Sequence, residues 1–233
     1  MCQFVSERPD PQLNRSVSLL FIFKRANMNE ITLTPRCLTC VGAIMYDTLA
    51  KVRADIADRL STAASSRKCP MHTPVVVTGD ADARIMVLRE FDPEDWTLRF
   101  HTDARSPKAG VIAQGAPMGV LFYDAPGKVQ IRIRGTGRIE TDTAIASAAW
   151  EESTPYARRC YLGAPPGEAR SEPSSGLPEW IEGRKPTEDQ VAPVRENFAV
   201  LLVQIEEADW YWLSNDGHRR AIFQGDAGRW VTP

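Results

Sequence analysis

The sequence predicts a mainly β protein with helical additions, an antiparallel barrel or sandwich of the α+β kind. Three observations carry this. Apolar and polar residues alternate in six or seven short segments from Pro74 onward. Clusters of Gly, Asp, Asn and Pro separate most of these segments, as turns require. One earlier stretch repeats its apolar residues every three or four positions instead of every two, the mark of an amphipathic helix. The 233 residues, 43% hydrophobic and 25% charged, suffice for one such domain, or for a domain with an arm.

Residues 1–43 mix charge, proline and short apolar runs without a sustained period. They read as an N-terminal arm, flexible or translated upstream of a start at Met28 or Met45, which leaves 44–233 as the domain. From Tyr46 to Ala63, Leu49, Val52, Ile56 and Leu60 share one helical face, with Lys51, Arg53, Asp55, Asp58 and Arg59 between them. Pro74–Thr78 and Arg84–Glu90 read as strands joined by the turn Gly79-Asp80-Ala81-Asp82. After Asp92-Pro93-Glu94-Asp95, a third strand covers Trp96–Thr102. Ser106–Gln114 reads as a short helix, with Ser106 suited to the cap and Pro107 to the first helical position. Pro117–Asp124 and Lys128–Glu140 form a hairpin around Ala125-Pro126-Gly127. In its second arm Val129, Ile131 and Ile133 alternate with Gln130, Arg132 and Arg134. Asp142 and Pro155 each suit the start of a short helix. Residues 163–193 read as a long surface excursion. Phe198–Ile205 is a strand continued through Trp210-Tyr211-Trp212, and Asn215-Asp216-Gly217 turns it into His218–Gln224.

Composition narrows the function. With 28 basic and 30 acidic residues the formal charge is −2, so nothing global points to nucleic acid or an anionic membrane. The apolar run Leu19–Phe23 is far shorter than the roughly 20 residues of a span, and it suits no signal-peptide core, so a cytoplasmic location is expected. The five cysteines are scattered and odd in number, which favours free thiols. Cys37 and Cys40 form a C-x-x-C pair. A zinc site would want a second pair or nearby histidines, and the chain has only His72, His101 and His218. No metal is therefore expected. The glycine fingerprint of dinucleotide-binding folds and the Walker A loop are both absent.

One set of residues suggests chemistry. Arg84 and Arg89 flank an apolar strand, Thr102 ends the next, and Ser106 and Lys108 open the helix after it. Arg84, Ser106 and Lys108 can together hold a phosphate dianion through charge-assisted hydrogen bonds. On periodicity alone, a solvated Arg/Lys surface beside a capped helix explains the same residues. The run Trp210-Tyr211-Trp212 reads by composition as core or interface.

The string RIMVLREFDPEDWTLRFHTDARSPKAG resembles the FMN-binding core of the pyridoxamine 5′-phosphate oxidase family, whose members carry R-x-V-x-L-[KR] followed by F-x-T-x-x-x-S-x-K. VQIRIRG, DWYWLSNDGHRRAIF and the ending WVTP resemble three further family segments, in the right order. The likeness covers about residues 46–233, is weakest over 163–193, and is greater to the divergent FMN-binding branch than to the vitamin B6 enzymes. It implies a six-stranded antiparallel split β-barrel binding FMN, with two subunits packed so that each FMN lies at their interface. Arg84 and Lys108, helped by Ser106, would bind the FMN phosphate. Ile85, Met86, Val87 and Leu88 would lie along the flavin and ribityl chain, with His101 and Thr102 beside them. Gln130, Trp210 and Arg220 would contact the flavin, Gln130 from the partner subunit. Arg89, Arg158 and His218 would line the substrate face.

The departures from the family are as informative. Pro107 replaces a basic residue, and Gly167-Glu168 replaces a Gln-Ser pair. The substrate-phosphate positions, a Lys, Tyr, Arg and Ser in the family, carry Arg89, Trp150, Thr154 and Arg158, and Asp216 stands where an Arg is usual. An aspartate near a phosphate repels it. The resemblance thus implies a flavoprotein oxidoreductase acting on a small molecule. The alternatives are a non-catalytic flavin-binding sensor and a genuine pyridoxamine 5′-phosphate oxidase.

Overall fold

A computed structural model of the chain describes residues 46–113 and 115–233. The arm expected over 1–43, and with it the Cys37–Cys40 pair, lies outside the described residues.

Helix α1 (Leu49–Ser65) buries Val52, Ile56, Leu60 and Ala63, the face its spacing predicts. It begins later than Tyr46 because Thr48 caps it, its hydroxyl accepting from the Lys51 amide at 3.2 Å. Strand β1 (Val75–Thr78) follows. The segment 84–90, one strand by its apolar run, is two: β2 (Ala83–Ile85) pairs with β1, and β3 (Leu88–Asp92) pairs with β4 (Thr97–Asp103). The chain changes partner at Met86–Val87, and local periodicity carries no trace of a change of neighbour. Helix α2 (Pro107–Ile112) is next, then the hairpin of β5 (Ala116–Asp124) and β6 (Val129–Glu140). Helix α3 (Ala144–Glu152) is capped by Thr143 and not by Asp142, the Thr143 hydroxyl accepting from the Ala146 amide. Helix α4 (Pro155–Arg158) and, within the expected excursion, the single turn α5 (Glu188–Val191) complete the helices among the described residues.

Strand β7 (Phe198–Trp212) runs for fifteen residues, then β8 (Arg219–Gln224) and β9 (Ala227–Val231) close the domain. Among the described residues nine strands therefore appear where the pattern gave six or seven, the additions being the divided segment at 84–90 and the terminal β9. All are paired antiparallel, in the order β2-β1-β5-β6-β7-β4-β3, with β8 on β7 and β9 on β8.

β7 organises the barrel. Its first half pairs with β4 and its second half with β8, while β6 runs along its other edge. A bulge between Arg134 and Gly135 lets β6 follow the bend. The two chains approach so closely there that a Cβ on Gly135 would lie 1.9 Å from the Gln204 carbonyl oxygen, so only glycine fits. Phe198–Val203 are buried on both faces. Leu201 and Val203 point into the barrel core with Phe100, Phe122 and Ile131. Phe198, Val200 and Leu202 point out into a second cluster with Trp150, Tyr161 and Val191. A helical layer thus packs on the outside of the barrel wall. No described helix is long and apolar enough to cross a membrane.

Candidate functional site

A hollow of about 380 Å³ opens where this helical layer meets the wall, at the break between β2 and β3. Arg84, Ile85, Met86, Val87, Arg89, His101, Thr102 and Lys108, all singled out by the sequence, line it. The break creates the space, because residues 86–87 leave β1 before β3 joins β4.

Two cations meet in it. Arg84 Nη2 pairs with Asp82 and donates to Thr78 Oγ1 at 3.1 Å, which leaves Arg84 Nη1 buried with no partner in the protein. Lys108 Nζ donates to Ser106 Oγ at 3.1 Å, and Ser106 Oγ donates to the Asp103 carbonyl at 2.7 Å. The Ser106 hydroxyl caps no backbone N–H of its helix, so it is free to steady the lysine from behind. Burial, and then the charge of Arg84, push the Lys108 ammonium below its ordinary value. Asp103 does not neutralise the pair, since Arg105 takes its carboxylate at 2.7 and 3.0 Å. Like charges held together in a recess suit an anion.

His101 and Thr102 add two more groups. His101 packs edge-on against Phe198, with ring centroids 5.0 Å apart, and burial together with the charges of Arg89 and Arg99 lowers its pKa to about 3. Its imidazole is neutral at ordinary pH. Its Nε2 and the Thr102 Oγ1 are buried without partners. Buried polar groups in proteins are nearly always bonded, so three of the four unpartnered ones among the described residues falling on residues that line one hollow make it the candidate ligand site.

Other expected residues lie elsewhere. Leu88 faces the barrel core and is fully buried, because the alternation of β3 turns it inward. Trp210 is also fully buried, its indole N–H donating to Asp55 under α1 at 2.8 Å. The structure thus places both inside the protein and away from the hollow. Gln130, Tyr211 and Arg220 form one row across the outer face of β6, β7 and β8. Arg220 donates to both Asp209 oxygens, at 3.0 and 2.8 Å, and Arg132 pairs with the same carboxylate. Burial would raise the Asp209 pKa, but these hydrogen bonds and charges hold it below the usual range. His218 lies beside Arg219 and Trp230 in a separate recess. Arg158 is buried: it pairs with Glu188 at 2.6 Å, donates to the carbonyls of Trp150 and Glu151, and stacks over the Trp150 ring at 4.7 Å. Thr154 caps α4.

The structure also adds Ser153, Ala157, Cys160, Tyr161 and Pro166 to the lining. These come from the helical layer, and no local pattern in the sequence ties them to the barrel wall. Pro166 alone adjoins a position, Gly167-Glu168, that the departures from the family had marked. The Cys160 thiol is pushed up by burial, so it is protonated at neutral pH.

The unpartnered Arg84 nitrogen beside Lys108 is the donor set a terminal phosphate requires, and the apolar run Ile85–Val87 leads away from it along the hollow. The residues present therefore fit FMN.

Comparison with known proteins agrees. Residues 54–141 match the family model described as pyridoxamine 5′-phosphate oxidase, FMN-binding domain. Among solved structures, a pyridoxamine 5′-phosphate oxidase-related, FMN-binding protein from Nostoc punctiforme is 23% identical over 80% of this chain and 100% of its own, with a TM-score of 0.59. PhzG from Burkholderia lata, in complex with tetrahydrophenazine-1-carboxylic acid, is 16% identical over 77% of this chain and 91% of its own, with a TM-score of 0.54. No curated protein matches the chain. Residues 54–141 thus match the FMN-binding domain model of the pyridoxamine 5′-phosphate oxidase family, and the chain shares the fold of these two solved structures.

Proposed function

We propose that the chain is an FMN-dependent oxidoreductase acting on a small molecule, and that it works as a homodimer. The observation that carries the reading is the meeting of Arg84 and Lys108 in one hollow, with Arg84 Nη1 buried and unpartnered. Bound there, the flavin supplies hydride or electron transfer. The chain's own groups do the rest. Arg84 and Lys108 fix the phosphate, and so set where the ring falls. Ile85, Met86 and Val87 give it an apolar edge. His101 offers a hydrogen bond without adding charge. Tyr161 and Pro166 wall the hollow on the helical side.

The dimer is supported by an exposed face next to the hollow. Ile85 lines the hollow yet is 70% exposed, and it begins a row across Val75 to Leu121. Leu121 is 37% exposed, and Tyr123, in the next row with Gln130, is 50% exposed. A second copy on this face would cover these side chains and bring Gln130 and Arg220 against its neighbour.

The test begins with an absorption spectrum and an FMN titration. A colourless protein that takes up no FMN sinks the proposal. A flavin that binds but is reduced neither by nicotinamide cofactors nor by any substrate would leave a binding or sensor protein instead. The wild type should elute at twice the chain mass, and Leu121→Lys with Tyr123→Lys should elute at the monomer mass. A monomeric wild type that binds FMN at full affinity would remove the dimer.

A further inference from the structure

We infer that the place beside the flavin takes a singly charged organic acid, its carboxylate held by Arg89, and rejects a phosphate-monoester dianion. This rests on the reading that FMN fills the cradle of Arg84 and Lys108.

The argument starts with backbone geometry. In a regular strand, consecutive side chains point to opposite faces. In β3, Arg89 and Glu90 are both exposed, because the register slips between Leu88, opposite Phe100, and Glu90, opposite Arg99. Arg89 is the extra residue of a β-bulge, and bulges re-aim side chains. Glu90 turns to Arg99, which it meets at 2.7 Å. Arg89 turns to the hollow and makes no ion pair or hydrogen bond among the described residues. A guanidinium without a counter-ion at the mouth of a recess is set for an anion.

The count of charges then decides which anion. Three cations, Arg84, Lys108 and Arg89, and one carboxylate, Asp103, line the hollow among the described residues; Arg105 offsets Asp103, and Asp82 already takes part of the charge of Arg84. Arg84 and Lys108 are needed for the cofactor's phosphate. The nearest further cation on the helical wall, Arg158, gives its charge to Glu188, and its Nε and Nη2 to two carbonyls. It cannot turn outward without giving up that ion pair and both carbonyl hydrogen bonds. His101 adds no charge, because burial and the charges of Arg89 and Arg99 keep it neutral. Its Nε2 is buried without a protein partner. The second anion site therefore has one positive charge and one neutral polar group. A carboxylate matches that set: two oxygens for the guanidinium fork, one negative charge, and lone pairs to accept an imidazole N–H. A phosphate dianion would keep one charge uncompensated in a recess walled by Tyr161, Ala157 and Pro166.

The test uses the full chain loaded with FMN and three probes of similar size: 2-naphthoate, 2-naphthamide and naphthyl phosphate. Binding is read by calorimetry and by the shift of the flavin absorption. Naphthoate should bind at least about ten-fold more tightly than the amide or the phosphate. Arg89→Gln should weaken naphthoate about ten-fold or more, leave the amide unchanged, and leave FMN affinity unchanged. The inference is overturned if the phosphate binds as tightly as the acid, or if Arg89→Gln has no effect on the acid. If the protein takes up no FMN, the flavin reading fails by itself, and calorimetry on the same protein still decides whether Arg89 holds the acid.

Discussion

Two regions of the molecule bury polar side chains, and they treat them in opposite ways. Beneath α1, each has a partner. Asp55 accepts from Arg59 at 2.8 Å, from the Trp210 indole at 2.8 Å and from the Tyr46 hydroxyl at 3.1 Å, while Arg59 also reaches Asp124 at 2.7 Å. At the hollow, Arg84 Nη1, His101 Nε2 and Thr102 Oγ1 have none. An unmet buried donor or acceptor costs about 1–3 kcal/mol, so a fold keeps several together only where something other than the fold meets them. The first region fastens a helix to a barrel. The second holds its bonding capacity for a ligand. The contrast predicts that changes under α1 act on stability and spare binding, and that changes at the hollow do the reverse.

The largest effect should come from Asp55→Ala. It strands the Trp210 N–H and takes one of Arg59's two carboxylate partners, and should lower unfolding free energy by about 3 kcal/mol in a urea titration. FMN affinity of the folded fraction should not change. A smaller effect, in binding only, is expected for Arg84→Ala: FMN should bind about 1.5–3 kcal/mol more weakly by fluorescence titration, with the urea midpoint nearly unmoved. Equal losses in both quantities would erase the distinction between the regions. Trp210→Phe comes next. It removes one hydrogen bond to Asp55, so about 1 kcal/mol of stability should go, while the flavin spectrum stays as it is. A changed spectrum would show that Trp210 reaches the flavin after all.

A further effect appears only in acid. His101 has a folded-state value of about 3 against 6.5 for the free side chain. Between those values the unfolded chain takes up a proton that the folded chain refuses, so stability falls as pH drops from about 6.5 towards 3. His101→Gln deletes that contribution. Its stability should fall less steeply than the wild type's between pH 7 and pH 4.5, and parallel curves would show that the imidazole is not desolvated.

Much of the barrel was legible because its information is local. The face of α1, the alternation of β6 and the turns between strands follow from period and turn chemistry. The break between β2 and β3 was not, because it records a change of neighbouring strand from β1 to β4. The short β9 carries no alternating apolar pattern of its own. At the site, Arg84 and Lys108 could be named from residue type and resemblance. Cys160 and Tyr161 could not, since only the packing of α3 and α4 on β7 brings them there. Trp210 had two readings, core by composition and flavin contact by resemblance, and the structure seats it in the core. Three aromatics in succession hide the phase of a strand, so which one points outward had to come from register.

The bulge at Arg89 also bears on how such a protein can diversify. Since the inserted residue belongs to no rung of the ladder, exchanging it disturbs neither the pleat nor the pairing on either side. If Arg89 chooses the ligand, a single codon change there would alter the recess's preference while the scaffold keeps its shape, at little cost to folding.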